Sequence, residues 1–250
     1  MDLKGKTALV TGSSRGIGRA IALKFSSLGA GIGVHCVSRI ELAQEVCGEI
    51  NASGGTAFAF QADISESQKV DQMMDAFIEK FEKIDILVNN AGIVSDCPLA
   101  GMQDEIWKRV IDVNLTGTFN MCRAAARHMM ARKYGRIINL SSFVASKGGR
   151  GQSNYASSKA GIEALTRSLA IELGSRGITV NSVCPGAVET DMSREAIERS
   201  REKIVSIIPL KRLGKPEEVA SLAAFLASDE AAYITGESIG VTGGLGLLSW

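Results

Sequence analysis

The order of its apolar runs constrains this chain most. Short, nearly continuous apolar stretches recur along the 250 residues, at Thr7–Val10, Gly31–Cys36, Ala57–Gln61, Ile84–Asn89, Arg136–Leu140, Thr179–Cys184 and Ser238–Val241. Most do not alternate apolar with polar, so they read as strands covered on both faces. Between them lie stretches with helical spacing: Gly18–Leu28, Glu41–Asn51, Ser67–Phe81, Ile106–Arg132, Asn154–Gly174 and a helix starting near Pro216. Repeated strand–helix–strand order implies parallel pairing through right-handed crossovers. The expected fold class is α/β: one doubly wound domain over residues 1–250, with a seven-stranded, mostly parallel sheet and helices on both faces. No linker or repeat divides it. Val188–Leu213 breaks the pattern, being charged and containing Pro209. A long insert past a strand's C-terminal end is placed to cover an active site, so residues 188–213 are expected to form a substrate lid.

The first strand runs through Thr11-Gly12-Ser13-Ser14-Arg15-Gly16-Ile17-Gly18 into a helix. Gly12 permits a tight turn, Gly16 lets backbone approach a pyrophosphate, and Gly18 lets the helix pack against the strand. Free N–H groups at the helix start, from Ser14 to Gly18, then face phosphate oxygens, aided by the helix dipole. The spacing is Gly-x-x-x-Gly-x-Gly rather than the general dinucleotide fingerprint Gly-x-Gly-x-x-Gly. A turn without any ligand is the plain alternative. With a dinucleotide, the domain is a Rossmann fold.

At the end of the second strand, Val34-His35-Cys36-Val37-Ser38-Arg39 contains no carboxylate to accept from a ribose 2′-hydroxyl. Arg15 and Arg39 can instead pair with a 2′-phosphate through charge-assisted, bidentate hydrogen bonds. NADP(H) is therefore the expected cofactor, against the alternative that both arginines are solvated. His35 reads as packing at the strand end.

Tyr155 and Lys159 stand four apart on a helix and so share a face. Free tyrosine has a pKa near ~10, too high for proton transfer at neutral pH. A lysine cation ~4–5 Å away, at an effective dielectric of ~20, favours phenolate by roughly 3–4 kcal/mol, while desolvation acts the other way. The pair is expected to poise Tyr155 as a general acid or base, and Lys159 can also bind the nicotinamide ribose. A chance Tyr-x-x-x-Lys is common. Ser141-Ser142 closes the fifth strand, at the end where α/β ligands bind, and a hydroxyl there can donate to a carbonyl gaining negative charge.

Other chemistries find little footing. The formal charge is +1, so no global field draws the chain to nucleic acid or membrane. His35 and His128 join no cluster with metal-ligand spacing, and no metal is expected. Met73-Met74 and Met129-Met130 read as helix packing. Cys36, Cys47, Cys97, Cys122 and Cys184 are widely spaced and odd in number, which suits reduced thiols in a cytoplasmic protein. No leader and no apolar run of membrane length is seen, and the Asn51-Ala52-Ser53 sequon reads as chance.

Thr-Gly-x-x-x-Gly-x-Gly resembles the pattern of the short-chain dehydrogenase/reductase family, and the resemblance runs nearly from end to end. Asn89-Asn90-Ala91-Gly92 after strand four is similar to the family segment walling the adenine-ribose pocket. Asp63, with Ile64, looks like the adenine contact. Pro185-Gly186 follows strand six, Val188 stands where many relatives have isoleucine, and Thr190 matches a position near the nicotinamide carboxamide. Ser142, thirteen residues before Tyr155, has the family offset and is preferred to Ser141. Asn114, in Asp112-Val113-Asn114, matches the asparagine that disturbs a helix and holds a water near the lysine. The resemblance thus implies an Asn114–Ser142–Tyr155–Lys159 tetrad for NADPH-dependent ketone reduction, with protons replenished through Lys159, ribose, water and Asn114.

Within the family the chain is most similar to 3-oxoacyl-[acyl-carrier-protein] reductases, through Ser14–Gly18, Gly186-Ala187-Val188-Glu189-Thr190-Asp191-Met192 and Tyr233-Ile234-Thr235-Gly236. That implies a homotetramer paired through the helices of Asn114 and Tyr155 and through the C-terminal strand. It also implies an acyl-carrier-protein partner, for which Lys133 and Arg176, with Arg132 beside them, match basic positions. Polyketide, steroid, sugar or small-ketone reduction stays open, because the Ser95–Met102 loop and the lid set the substrate; Cys97 in that loop has no assigned part. A dinucleotide-binding protein without chemistry is the remote alternative.

Overall fold

In the computed structural model, residues 1–190 and 194–247 are described, with backbone course alone for 194–199. Strands β1 (Thr7–Val10), β2 (Gly31–Cys36), β3 (Ala57–Gln61), β4 (Ile86–Asn89), β5 (Gly135–Leu140), β6 (Ile178–Pro185) and β7 (Ser238–Val241) form one sheet in the order β3-β2-β1-β4-β5-β6-β7. Every pairing is parallel, so "mostly parallel" becomes wholly parallel among the described residues.

Helices α1 (Gly16–Ser27), α2 (Ile40–Ala52) and α9 (Pro216–Ala227) cover one face, burying Ile21, Phe25, Val46, Ile50 and Val219 with Val10, Ile32 and Val88. On the other face lie α3 (Ser67–Phe81), α5 (Gly117–Arg132) and α7 (Ser153–Gly174), burying Met74, Phe77, Met121, Met129 and Leu173 with Leu9, Leu87 and Val180. Neighbouring residues of one strand thus feed opposite cores, which is why the strands read as continuous apolar runs.

The direction of strand addition reverses between β1 and β4, where Val10 pairs with Val88. Ligands of open α/β sheets bind at such a reversal, beyond the strands' C-terminal ends. The expected helix Ile106–Arg132 is helical throughout, α4 (Asp104–Ile111) running through a π turn at Asp112–Thr116 into α5. The expected lid carries α8 (Arg194–Ile207), kinked at Ser200. The lid's two ends meet, since Glu189 N–H donates to Gly214 O and Gly214 N–H to Ala187 O. A short α6 (Val144–Lys147) follows β5.

Candidate active site

One cavity of about 480 Å³ opens along the C-terminal ends of the strands. The glycine loop, the ends of β2, β3 and β4, Ser142, Tyr155, Lys159 and the segment after β6 all line it. Gly12, Ser14, Arg15, Gly16, Ile17, Arg39, Asp63, Ile64, Asn90, Ala91, Gly92, Pro185, Gly186, Val188 and Thr190 are on its wall. Gly18 and Asn114 stand behind it. Asp191 and Met192 lie outside the described residues.

Close approach explains two of the glycines. Gly12 has φ +62°, and a β-carbon there would lie 2.9 Å from Ala91 Cα; one on Gly18 would lie 2.4 Å from both Asn90 Nδ2 and Gly12 O. Asn90 Nδ2 donates to the carbonyls of Thr11 and Gly12, at 2.9 and 3.0 Å, and the N–H groups of Asn90 and Ala91 donate to Thr11 Oγ1. The segment after β4 therefore grips the phosphate loop.

His35 does more than pack. Gly12 N–H donates to its Nδ1 and its Nε2 faces Ala62 O, both at 3.0 Å. That pattern requires the neutral Nε2–H tautomer. Burial lowers its pKa to about 4, against smaller opposing effects of the Ala62 carbonyl and Asp63. These contacts join residues distant in sequence, and no local signal marks them.

At the end of the cavity formed by the glycine loop and the ends of β2 and β3, α1 begins without an acidic residue in its first turn. Arg15 and Arg39 are exposed, and among the described residues neither makes an ion pair or a side-chain hydrogen bond. Asp63 is already engaged: Oδ1 accepts from Ser65 N–H and Oγ–H, and Oδ2 pairs with Arg109 at 3.1 Å. Burial works against its ionisation, yet Ser65 and Arg109 together hold its pKa below the usual value. Arg109 was missed in the sequence because its partner is 46 residues away.

At the other end, Tyr155 and Lys159 stand one turn apart on α7. Lys159 is buried, donates to Leu140 O at 2.6 Å, and lies 5.6 Å from the centre of the Tyr155 ring. Burial lowers its pKa to about 8. The expectation that the lysine pulls the phenol down is corrected: burial raises the Tyr155 pKa, the Ser142 hydroxyl against it counteracts, and the charge of Asp96 adds to the rise. Desolvation wins because the ammonium points to Leu140. A phenol so held is protonated at neutral pH.

Ser141 faces the other way, donating to Glu163 and the Lys159 carbonyl. Asn114, in the π turn, accepts from Ile93 N–H and donates to Ile93 O and Ser158 Oγ, at 2.8, 3.0 and 3.1 Å. Gly92 lies between Asn114 Oδ1 and Lys159 Nζ. Such π insertions often mark functional sites.

Lys133 and Arg176 are both exposed and close together, since Gly177 backs onto the Lys133 carbonyl. They sit at the N-terminal ends of β5 and β6, however, while the cavity opens at the C-terminal ends. β5 separates the two by its six residues, or ~20 Å.

Among the described residues no group of three or more His, Cys, Asp or Glu could hold a metal, and no helix is long and apolar enough to cross a membrane. The five cysteines are unpaired.

A Rossmann sheet with this cavity at its reversal defines a nicotinamide-dinucleotide oxidoreductase, and the chain belongs to the short-chain dehydrogenase/reductase family. Residues 12–246 match the family model described as enoyl-(acyl carrier protein) reductase. A 3-oxoacyl-[acyl-carrier-protein] reductase of Synechocystis is 46% identical over 97% of this chain and 98% of its own length. Its namesakes in Staphylococcus aureus and Pseudomonas aeruginosa are 45% and 44% identical, covering 96% and 98% of this chain and 98% and 99% of their own. A crystal structure of a candidate gluconate dehydrogenase from Agrobacterium tumefaciens superposes with a TM-score of 0.95 at 36% identity, covering 98% of this chain and 97% of that one.

Proposed function

We propose that this protein reduces a 3-oxoacyl thioester, carried on acyl carrier protein, to the 3-hydroxyacyl form with NADPH in fatty-acid-type biosynthesis. The carrying observation is the Tyr155 phenol against the Ser142 hydroxyl, one helical turn from a buried Lys159, in one cavity with two uncommitted arginines. Three relatives bearing the 3-oxoacyl reductase name support the substrate class.

The cradle fits the cofactor. The backbone of Gly12, Ser14, Gly16, Ile17 and Gly18 would take the pyrophosphate, and Arg15 and Arg39 the 2′-phosphate. Asp63, Ile64, Asn90, Ala91 and Gly92 would wall the adenosine, and Pro185, Gly186, Val188 and Thr190 the nicotinamide. When bound, NADPH supplies the hydride. Tyr155 gives its proton to the carbonyl oxygen, and Ser142 donates a hydrogen bond as that oxygen gains charge. With a cofactor in place, Lys159 would hold the ribose and would return protons to Tyr155 from the side of Asn114, whose Oδ1 keeps a second lone pair. The 188–213 segment serves as the lid.

A homotetramer in the cytoplasm is part of this reading. Phe119 on α5, Ile171 on α7 and Tyr233 before β7 are large apolar side chains left exposed, as surfaces that pair with further copies would be. A second reading, enoyl thioester reduction, follows the description of the family model.

The test is NADPH oxidation with carrier-bound 3-oxoacyl and enoyl thioesters beside a panel of free ketones. The 3-oxoacyl carrier thioester should be fastest. Tyr155→Phe should keep NADPH affinity and lose about 100-fold or more in kcat. Retention of more than about a tenth of kcat, with chemistry rate-limiting, removes Tyr155 as the acid.

A further inference from the structure

We infer that Asp96, held by Gln152, is a specificity-determining residue that rejects substrates carrying a negative charge next to the reacting ketone. The inference rests on the reading of Tyr155 as proton donor and deepens it, by naming neutral 3-oxo esters and thioesters as the class admitted.

Asp96 and Gln152 both line the cavity that Tyr155 lines, and Gln152 Nε2 donates to Asp96 Oδ2 at 3.2 Å. Residues on either side of Asp96 are tied to the same stretch of chain. Asn154 Nδ2 donates to Ser95 O at 3.0 Å, and Cys97 N–H donates to Gly151 O at 2.8 Å. Asn154 is fully buried, and its Oδ1 accepts from Tyr155 N–H at 2.7 Å. The loop carrying Asp96 is thus fastened at three consecutive residues to the start of α7, and the carboxylate holds a fixed station relative to the phenol. It is near enough for its charge to act on Tyr155.

The other charged side chains on the described cavity wall are Arg15, Arg39, Asp63, Arg109 and Lys159. Of these, Asp63 and Arg109 pair with each other, the first two lie at the adenosine end, and Lys159 is buried on Leu140 O. Lys147 and Arg150 are exposed on the neighbouring segment and do not line the cavity. A substrate beside Tyr155 therefore meets Asp96 as the one acid of the described cavity wall not paired with a cation, with Val94, Ile93 and Val144 supplying apolar wall. A free 3-oxo acid would bring its carboxylate two bonds from the ketone carbon, against a like charge. An ester or thioester at that position brings none.

The experiment compares ethyl acetoacetate with acetoacetate, at a pH where the acid is ionised, for the wild type, Asp96→Asn, Asp96→Glu and Gln152→Ala. Wild type should favour the ester in kcat/KM. Asp96→Asn, nearly isosteric at an exposed position, should shrink the ester-to-acid ratio about tenfold, mainly through the KM for acetoacetate. Asp96→Glu should keep the discrimination, and Gln152→Ala should weaken it partway. An unchanged ratio in Asp96→Asn overturns the inference, as does an equal shrinkage in Asp96→Glu. Tyr155→Phe separates the two readings. If it stays fast on the ester, the proton-donor assignment falls; if it is dead while Asp96→Asn leaves the ratio alone, only the role of Asp96 falls.

Discussion

Removing Arg15 and Arg39 tests cofactor choice most directly. Each stands at the N-cap position of a helix on the cavity wall without a side-chain capping bond, Arg15 before α1 and Arg39 before α2, where its backbone takes a left-handed φ of 54°. Neither guanidinium has a partner among the described residues to lose, so alanine at either position breaks no internal bond. What it removes is a charge-assisted contact to a 2′-phosphate, about 1.5–3 kcal/mol. That corresponds to a roughly 10–150-fold rise in KM for NADPH per arginine. NADH, without the phosphate, should change by less than about threefold. Because both side chains address one group, the double variant should fall short of the product of the singles. Steady-state kinetics with both cofactors at two salt concentrations are the assay, and higher salt should raise the wild-type KM for NADPH alone. Equal weakening of NADPH and NADH refutes the reasoning, placing the arginines on the shared pyrophosphate or in the fold.

Three further outcomes are expected. The Lys159 ammonium is lost as pH rises through about 8, so kcat for reduction should fall above that pH; Lys159→Arg, which does not titrate there, should abolish that limb, and a wild-type profile flat to pH ~9.5 contradicts it. His35 has a folded pKa of about 4 against an ordinary 6.5, so the unfolded chain binds the proton first. Stability should be full above pH ~6.5 and decline towards pH ~4 by about 3 kcal/mol, and urea titrations of His35→Asn should lack most of that slope. Lys133→Glu with Arg176→Glu should slow reduction on the carrier and weaken its salt dependence while sparing a short thioester. Both lie a strand's length from the cavity mouth; effects equal on both substrates, or on neither, remove the docking patch.

What the sequence made legible follows from how local each cause is. β1, β2, β3 and β7 end where the apolar runs end, because strand burial is written residue by residue. β4 starts at Ile86, two residues later than its apolar run, because the buried Asp85 carboxylate accepts from Thr7 N–H and pairs with Lys83. The π turn at Asp112–Thr116 sits inside a regular helical pattern, where only the resemblance at Asn114 points to a disturbed helix. Its causes are the bonds of Asn114 to Ile93 and Ser158, 21 and 44 residues away. The sign of the Tyr155 shift was misread for the same reason: spacing fixes that a lysine is near, but only packing fixes that its ammonium turns to Leu140.

The two ends of the cavity differ in this respect. At the cofactor end the constraint is on backbone, and a backbone that must take positive φ or touch its neighbour writes glycine into the sequence, as at Gly12 and Gly18. At the substrate end the constraint is on side chains from separate segments: Asp96 before α4, Ser142 after β5 and Gln152 before α7. Many residue combinations can fill that space, so no single pattern announces it. Substrate choice is therefore carried by contacts such as Asp96–Gln152, which only the assembled fold brings within 3.2 Å.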